Sequence, residues 1–149
     1  MRENNLSTLM QIDLALQRQE VFGLKKTWNY VGSYEKEILR SIREFTTPVR
    51  NFKKVRDVME SVVGLPAVPF LGLYLSDMVF NAELPNTTTS DQMINVNKFR
   101  NKGNIVRRAL KFLNLPSYPF EEDHRLQNKL MLLPFSTDLE LEKLSKQVD

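Results

Sequence analysis

The chain has 149 residues, of which 42% are hydrophobic and 26% charged, a composition typical of a globular domain large enough to bury a core. It contains no cysteine, which excludes disulfide frameworks, thiolate metal sites and cysteine nucleophiles. The net charge of +3 favours an acidic partner surface but is too small to indicate nucleic-acid binding by itself. No apolar stretch reaches the ~18 residues that cross a bilayer, and the first residues lack a signal peptide's apolar core, so we expect an intracellular protein.

The first half of the chain carries apolar residues at helical spacing, interrupted by residues that end helices. We expect helices over about 6–19, 33–47 and 50–63. Gly23 follows the first of them, Pro48 ends the second, and Gly64 stands where a glycine is favoured after the third. Trp28, the only tryptophan, is expected to anchor the core.

An apolar run with the sequence PAVPFLGLYLSDMVFNAE occupies 66–83. Pro69 suits the first turn of a helix and Pro85 ends it, so we expect a helix from about Val68 to Leu84. At ~100° per residue, one stripe of this helix is apolar and is expected to pack on the core: Leu71, Tyr74, Leu75, Met78 and Ala82. A second stripe mixes small, apolar and acidic residues: Gly72, Ser76, Val79, Phe80 and Glu83. A helix with two such stripes must be covered on both sides, by its own protein or by a partner.

A basic, amphipathic helix is expected next, over about 94–114. The polar connection before it predicts an antiparallel return, so the two helices would form a hairpin over about 67–114. Further helices are expected over about 121–132 and after Thr137, which has capping-box spacing to Glu140. Since no segment alternates as a strand does, the sequence predicts an all-α, irregular helical domain with a protruding antiparallel hairpin.

The residues that carry most enzyme chemistry are scarce or scattered. The only histidine, His124, lies in a polar segment and is expected to be exposed, which leaves no catalytic triad or histidine metal cluster. The acidic residues at 121–123 are better explained by the start of a helix than by acid–base catalysis. The five glycines are scattered, so no loop can cradle phosphates. We therefore expect no metal, no cofactor and no direct binding of a nucleotide.

Several stretches resemble, in order and spacing, the catalytic domain of the guanine nucleotide exchange factors for Ras-family small GTPases. The most specific is PAVPFLGLYLSD at 66–77, because it matches the family pattern Pro-x-Val-Pro-Phe-x-Gly-x-Tyr-Leu over its whole length. The others are NNL at 4–6 with Leu9, Met10, Ala15 and Leu16, LKKTW at 24–28, NFKKVR at 51–56, and Ile94 and Asn95 with Lys98 and Arg100. The resemblance, in the family's order and spacing, extends from about Asn4 to Leu133, nearly the whole chain.

The resemblance implies that the hairpin inserts into the GTPase beside the nucleotide. The residues that it assigns to displacing the nucleotide are Ser76, Val79, Phe80 and Glu83. Val79 would bring an apolar side chain to where magnesium and the α-phosphate need polar ligands, and Glu83 would repel phosphate and accept a hydrogen bond from the phosphate-binding loop. The residues implied to bind the GTPase, including its second switch region, are Met10, Gln17, Phe52, Phe70, Lys98 and Arg100.

An exchange factor makes and breaks no covalent bond and needs no cofactor, and the implied partner is a Ras-family small GTPase. The resemblance implies a cytoplasmic protein and leaves open its recruitment to the inner face of the plasma membrane through the GTPase. Family domains carry helices upstream of the segment that residues 1–5 match, so 1–149 is expected to be a partial domain that lacks them.

Two departures from the family leave a second hypothesis open. Gln17 stands where the family usually has asparagine, and Gly23 where it usually has a basic residue. The chain could therefore be a non-catalytic GTPase-binding or scaffold module of the same fold. Nucleic-acid binding along the basic residues of 98–111 is the least favoured hypothesis, and we expect no nucleic-acid partner.

Overall fold

The computed structural model describes residues 3–62, 64–88 and 93–148. Within these ranges the chain is helical without a β-strand, so the prediction of an all-α fold is confirmed. The helices are α1 (Leu6–Gln17), α2 (Gln19–Phe22), α3 (Lys25–Tyr30), α4 (Ser33–Thr46), α5 (Lys53–Ser61), α6 (Gly72–Glu83), α7 (Val96–Leu110), a 3₁₀ turn at Lys111–Asn114, α8 (His124–Met131) and α9 (Asp138–Val148). None of the helices in these ranges is long and apolar enough to cross a membrane.

The chain divides into two compact units. The first comprises Met1–Met10 and Arg56–Ser117, and the second Gln11–Val55 and Tyr118–Asp149. The buried apolar side chains of the first unit come from α1, α5 and the residue after it, α6 and the 3₁₀ turn: Leu6, Met10, Met59, Val62, Leu73, Tyr74 and Phe112. Because the hairpin helices α6 and α7 also belong to this unit, it carries the main candidate site.

Helix α5 begins later and ends earlier than predicted. Helix α5 begins at Lys53 and not near residue 50, because Arg50, Asn51 and Phe52 have φ values of 53°, 56° and 57°. A left-handed backbone cannot continue into a right-handed helix, so these three residues form a turn ahead of α5. Gly64, which follows α5, has a φ of 67°, in agreement with its expected place after a helix.

Within the second unit, side chains near both ends of α9 contact α2 and its N-cap, Arg18. On α9, the Ser145 hydroxyl donates to the Glu20 carbonyl oxygen of α2 at 2.7 Å. The guanidinium of Arg18 contacts a carboxylate oxygen of Asp138 at 2.8 Å and also pairs with Glu20. These contacts and the hydrogen bonds of Glu20 and Asp138 raise the pKa of Arg18, which stays charged. Helix α9 is therefore fixed to α2 at both of its ends.

Helix α8 begins at His124, three residues later than predicted, because Asp123 is its N-cap. The Asp123 carboxylate accepts a hydrogen bond from the amide of Leu126 at 3.0 Å. His124 is exposed, as expected. The predicted capping box of α9 is confirmed: the Glu140 carboxylate accepts from the Thr137 amide at 2.7 Å, and the Thr137 hydroxyl accepts from the Glu140 amide at 3.3 Å.

The capping box makes the start of α9 sensitive to acid. Hydrogen bonds from the amide and hydroxyl of Thr137 lower the pKa of Glu140 below its ordinary 4.5. A carboxylate with a lowered folded pKa stabilises the fold above its unfolded pKa, and this contribution is lost as pH falls through the folded value. We expect a carboxyl ¹³C titration of Glu140 with a midpoint below 4.5. Thr137→Ala removes the hydroxyl but keeps the amide donor, so its midpoint should move toward 4.5 without reaching it, and an unchanged midpoint in that variant would contradict the hydroxyl's part in the cap.

Candidate functional site: the helical hairpin

The segment that leads into the hairpin is tied to the start of the chain. Val68 forms a parallel bridge with Asn5, with the Leu6 amide donating to the Val68 carbonyl at 2.9 Å and the Val68 amide to the Asn4 carbonyl at 3.1 Å. Because these bonds hold 68 in an extended conformation, α6 begins only at Gly72. The prediction that Pro69 lies in the first helical turn is therefore wrong.

The buried face of α6 differs from the predicted one. Leu73 and Tyr74 are 3% and 5% exposed, and Asn81 is 7% exposed, so the face that includes them packs inward. Leu71 and Leu75, which were expected to face the core, are 54% and 65% exposed. The prediction is confirmed for Tyr74 and wrong for the two leucines and for Ala82, which is also exposed, because buried polar residues share the inward face and hide it from a search for apolar spacing.

The second predicted stripe of α6 faces solvent. Val79 and Phe80 are 60% and 65% exposed, and Ser76 and Glu83 are also exposed. These four side chains lie within about 100° of one another on the helix, so the stripe is one surface. We call Ser76, Val79, Phe80 and Glu83 the α6 surface. It combines two large apolar side chains with one carboxylate at its C-terminal end.

Helices α6 and α7 pack against each other as a hairpin, and Lys98 holds the junction. Its ammonium donates to the carbonyl oxygens of Ala82 at 2.8 Å and Leu84 at 2.5 Å, and to the Asn86 side chain at 2.8 Å. The Asn81 amide group of α6 in turn donates to the Lys98 carbonyl at 3.2 Å. Carbonyls at the end of a helix have no intrahelical donor, and a cation there also offsets the negative end of the helix dipole. Lys98 thus fixes the turn of α6 that carries Glu83.

Asn95 completes the junction from the other side. Its side-chain oxygen accepts from the Lys98 amide at 3.2 Å and caps α7, while its side-chain nitrogen donates to the Pro85 carbonyl at 3.0 Å. The backbone of the connection pairs as well, with the Asn95 amide 2.8 Å from the Asn86 carbonyl. The expected antiparallel return of the chain is therefore held by two side chains, one from the N-cap and one from the first turn of α7. The turn-forming residues expected at 89 and 90 lie outside the described residues.

Removing the ammonium of Lys98 should loosen the end of α6. Lys98→Met keeps the aliphatic stem but leaves the Ala82 and Leu84 carbonyls without this donor, at a cost of about 1–2 kcal/mol. We expect amide hydrogen exchange at residues 81–84 to become about tenfold faster or more. Lys102→Met, one turn further along α7, is the matched control and should leave the exchange unchanged. Equal protection in both variants would show that the cap contributes nothing.

The base of the hairpin is braced to α5 by ion pairs. Arg56 and Asp77 form a two-bond pair at 2.7 and 2.9 Å, and both side chains are only 21% exposed. Glu60 of α5 contacts Arg108 and Lys111, each at 3.5 Å, and is 49% exposed. Helix α5 thus holds α6 through a partly buried, bidentate pair and the end of α7 through weaker, exposed ones.

Of the residues expected to bind a GTPase, Met10 and Phe70 belong to the first unit with Lys98 and Arg100. Met10 is 2% exposed and lies in the core, whereas Phe70 is half-buried and Arg100 is exposed. A Cβ at Gly72 would lie 2.8 Å from the ring of Phe70, so the glycine allows this ring to lie against the start of α6. The expected GTPase contacts of these residues stay predictions.

Gln17 and Phe52 belong to the second unit. The amide nitrogen of Gln17 donates to the Asp13 carboxylate at 2.7 Å, and the same carboxylate oxygen accepts from the Thr46 hydroxyl at 2.5 Å. Asp13 is 1% exposed, so this network fixes the exposed Gln17 amide from beneath. Phe52 is half-buried in the left-handed turn, a strained conformation for a residue with a bulky side chain. The predicted GTPase contacts of both residues are untested.

Within residues 3–62, 64–88 and 93–148, no three His, Cys, Asp or Glu side chains are grouped so that they could hold a metal ion. What the α6 surface can do is bind another macromolecule.

The sequence reasoning missed the positioning role of Asn81, Arg56 and Asp77. Asn95 offered a signal, because an asparagine directly ahead of an amphipathic helix is typical of an N-cap.

Comparison with known proteins gives the hairpin a context. A family model of the RasGEF domain matches residues 1–100. The chain is 34% identical over 113 residues to cell division control protein 25 of Saccharomyces cerevisiae, covering 73% of this chain and 7% of that protein. It is 28% identical over 137 residues to human Ras-specific guanine nucleotide-releasing factor 1, covering 92% of this chain and 11% of that protein. It is 29% identical over 143 residues to guanine nucleotide exchange factor LTE1 of Saccharomyces cerevisiae, covering 95% of this chain and 10% of that protein. The chain thus spans about a tenth of the length of these relatives.

Proposed function

Because the chain belongs to the RasGEF domain family, we propose that it is a guanine nucleotide exchange factor for a Ras-family small GTPase. The observation that carries the proposal is the α6 surface, which presents Val79 and Glu83 to solvent on a helix that pairs with α5 at its middle and is capped by Lys98 at its C-terminal end. A GTPase bound here would cover apolar side chains that the described residues of the chain leave exposed to solvent. The relatives, a Ras-specific guanine nucleotide-releasing factor among them, support the same class of partner.

Exchange requires that the factor bind the nucleotide-free GTPase more tightly than the loaded one. Val79 would serve this by bringing an apolar side chain to the place of the magnesium ion, which needs oxygen ligands. Since Val79 is 60% exposed, it can reach a partner without any change in the hairpin. The loss of magnesium then weakens the hold of the GTPase on phosphate.

Glu83 would act through charge. Its carboxylate would repel the phosphates of a bound nucleotide and, once they leave, accept a hydrogen bond from the phosphate-binding loop. Lys98 caps the helix turn that carries Glu83, so the carboxylate has a fixed base. Both effects favour the empty GTPase, and no covalent bond forms or breaks.

Release of a fluorescent GDP analogue from a panel of Ras-family GTPases tests the proposal. We expect at least one GTPase to release nucleotide faster when the chain is added. We also expect the chain to bind the nucleotide-free form more tightly than the GTP-loaded form. If no GTPase in the panel responds, exchange by this chain is wrong.

A non-catalytic GTPase-binding module is the second candidate, and the bond between Gln17 and Asp13 favours it. This bond uses one donor of the amide that the resemblance implies to contact the switch region, so fewer donors of that amide remain for a partner. Such a module would bind the GTP-loaded form alone. A pull-down against the nucleotide-free and the GTP-loaded GTPase therefore separates the exchange factor from the binding module. Recruitment to the plasma membrane through the GTPase stays a prediction under either one.

A further inference from the structure

A groove in the second unit has no part in the hairpin. It has a volume of about 790 Å³ and lies along α4, with an apolar wall and a cationic rim. The wall includes Phe22, Trp28, Leu39 and Val49, and the rim Lys36, Arg40, Arg43 and Lys54. We call these residues the α4 groove. Glu44 is the one carboxylate among its lining residues within the described chain.

The wall of the groove offers apolar surface whose polar groups are already satisfied. The indole nitrogen of Trp28 donates to the Val21 carbonyl at 2.8 Å, which fixes the ring and leaves no unpaired donor on it. Trp28 is half-buried and therefore lines a surface as well as packing. Phe22 is 55% exposed beside it. A ligand that packs here gains from apolar contact without breaking a hydrogen bond of the protein.

The rim offers an anion a partner with fixed geometry. The Arg43 guanidinium lies 5.5 Å from the centre of the Phe22 ring, and its Nε atom is buried without a hydrogen-bond partner among the described residues. Arg40 is already paired with Glu37, a residue outside the lining, at 2.5 Å. Arg43 is thus a cation held in place by a ring. A carboxylate in the groove would pair with the charge of its guanidinium.

The length of the groove indicates an extended ligand. Lys36, Arg40 and Arg43 follow one stripe of α4, and Thr47 is its C-cap; the eleven steps from 36 to 47 span about 16 Å at about 1.5 Å per residue. An extended peptide covers this span with about five residues. A single phosphate would occupy only one end of it.

We propose that the α4 groove binds an extended acidic peptide segment of another protein. One aromatic or aliphatic side chain of the segment packs on Trp28 and Phe22. A neighbouring carboxylate pairs with Arg43, and further acidic groups face Lys36 and Lys54. The choice of a peptide follows from the charge of the rim, the apolar wall and the span along α4. The residues that carry this inference are separate from the α6 surface, so it does not rest on nucleotide exchange.

Trp28 provides the test, because it is the only tryptophan of the chain and lies in the groove. The intact chain is titrated with the pentapeptide acetyl-Asp-Phe-Glu-Leu-Glu-amide while tryptophan emission is recorded. The same peptide with lysine at each acidic position is the first comparison. We expect saturable binding of the acidic peptide, about tenfold or more tighter than that of the basic one. Equal binding of both peptides, or no saturation by about 1 mM, overturns the proposal.

Variants place the peptide in the groove. Arg43→Met is expected to weaken binding about tenfold and Lys54→Met to weaken it less, with Arg107→Met on α7 as the matched control. If circular dichroism shows that Arg43→Met is unfolded, the affinity of Lys54→Met at low salt is compared with that of the parent chain instead. Two results would overturn the proposal. The first is an emission change with phosphatidylserine vesicles but not with the acidic peptide, and the second is an emission change that depends only on the concentration of the chain. Since no GTPase is present, a failure here leaves the exchange proposal standing.

Discussion

The double variant Val79→Ala/Glu83→Ala is expected to lose about 100-fold of its rate of nucleotide release. Truncating an apolar contact costs about 1 kcal/mol and deleting a charge-assisted hydrogen bond about 1.5–3 kcal/mol, and each 1.4 kcal/mol is a factor of ten in rate. Both side chains are exposed, so the free energy of unfolding should not change. Fluorescent GDP release, followed at a fixed GTPase concentration, measures the effect.

The matched control is Val148→Ala/Glu121→Ala, which removes the same two side-chain types elsewhere. Val148 is 62% exposed against 60% for Val79, and Glu121 is also exposed. This control should retain the parent rate. If the two double variants release nucleotide equally fast, the α6 surface is not where exchange occurs.

Glu83→Gln separates repulsion from hydrogen bonding. Glutamine keeps an acceptor oxygen but carries no charge, so it loses the electrostatic repulsion of phosphate alone. An intermediate rate is expected, with the difference from the parent growing at low salt. A rate equal to that of Glu83→Ala would assign the whole effect of this residue to charge.

The sequence predicted the hairpin and the composition of its second stripe because both follow from simple rules, whereas the resemblance assigned that stripe to a partner. Pro85 ends α6 by its chemistry, and the spacing of Val79 and Glu83 places them on one side of any helix that contains them. The capping box at Thr137 was readable for the same reason, since its two residues lie within one turn. Features set by neighbours in the chain were therefore accessible.

Features set by residues far apart in the chain were not. Asp77 and Asn81 read as polar positions, yet they lie on the inward side of α6 because their partners, Arg56 and the Lys98 carbonyl, come from other helices. Leu75 was expected to be buried but is exposed. Hydrophobic periodicity registers only apolar residues, and it does not show which polar residues have hydrogen-bond or ion-pair partners on other helices. The start of α6 was missed because the bridge between Asn5 and Val68 holds the preceding residues extended. No local rule predicts a pairing across 63 positions.

Breaking the Arg56–Asp77 pair should destabilise the first unit more than breaking any exposed pair in it. Each side chain is 21% exposed, between the fully buried case, where loss of one partner costs 3–5 kcal/mol, and the exposed case, where it costs about 0–1 kcal/mol. We expect Asp77→Ala to lower the free energy of unfolding by about 2–3 kcal/mol. Urea denaturation measures it, and Glu60→Ala, whose pairs are 3.5 Å long and half exposed, should cost less than about 1 kcal/mol.

The cost of Asp77→Ala comes mainly from leaving Arg56 partly buried beside an uncharged residue, not from the attraction alone. Arg56→Met/Asp77→Leu removes both charges and keeps the bulk, so it should recover most of the lost stability. If the double variant is as unstable as Asp77→Ala, the cause is packing and not charge. Nucleotide release by the double variant then separates an effect on stability from an effect on positioning. In the folded double variant, α6 lacks its two hydrogen bonds to Arg56 of α5. A slower release at parental stability would show that the pair sets the orientation of the α6 surface.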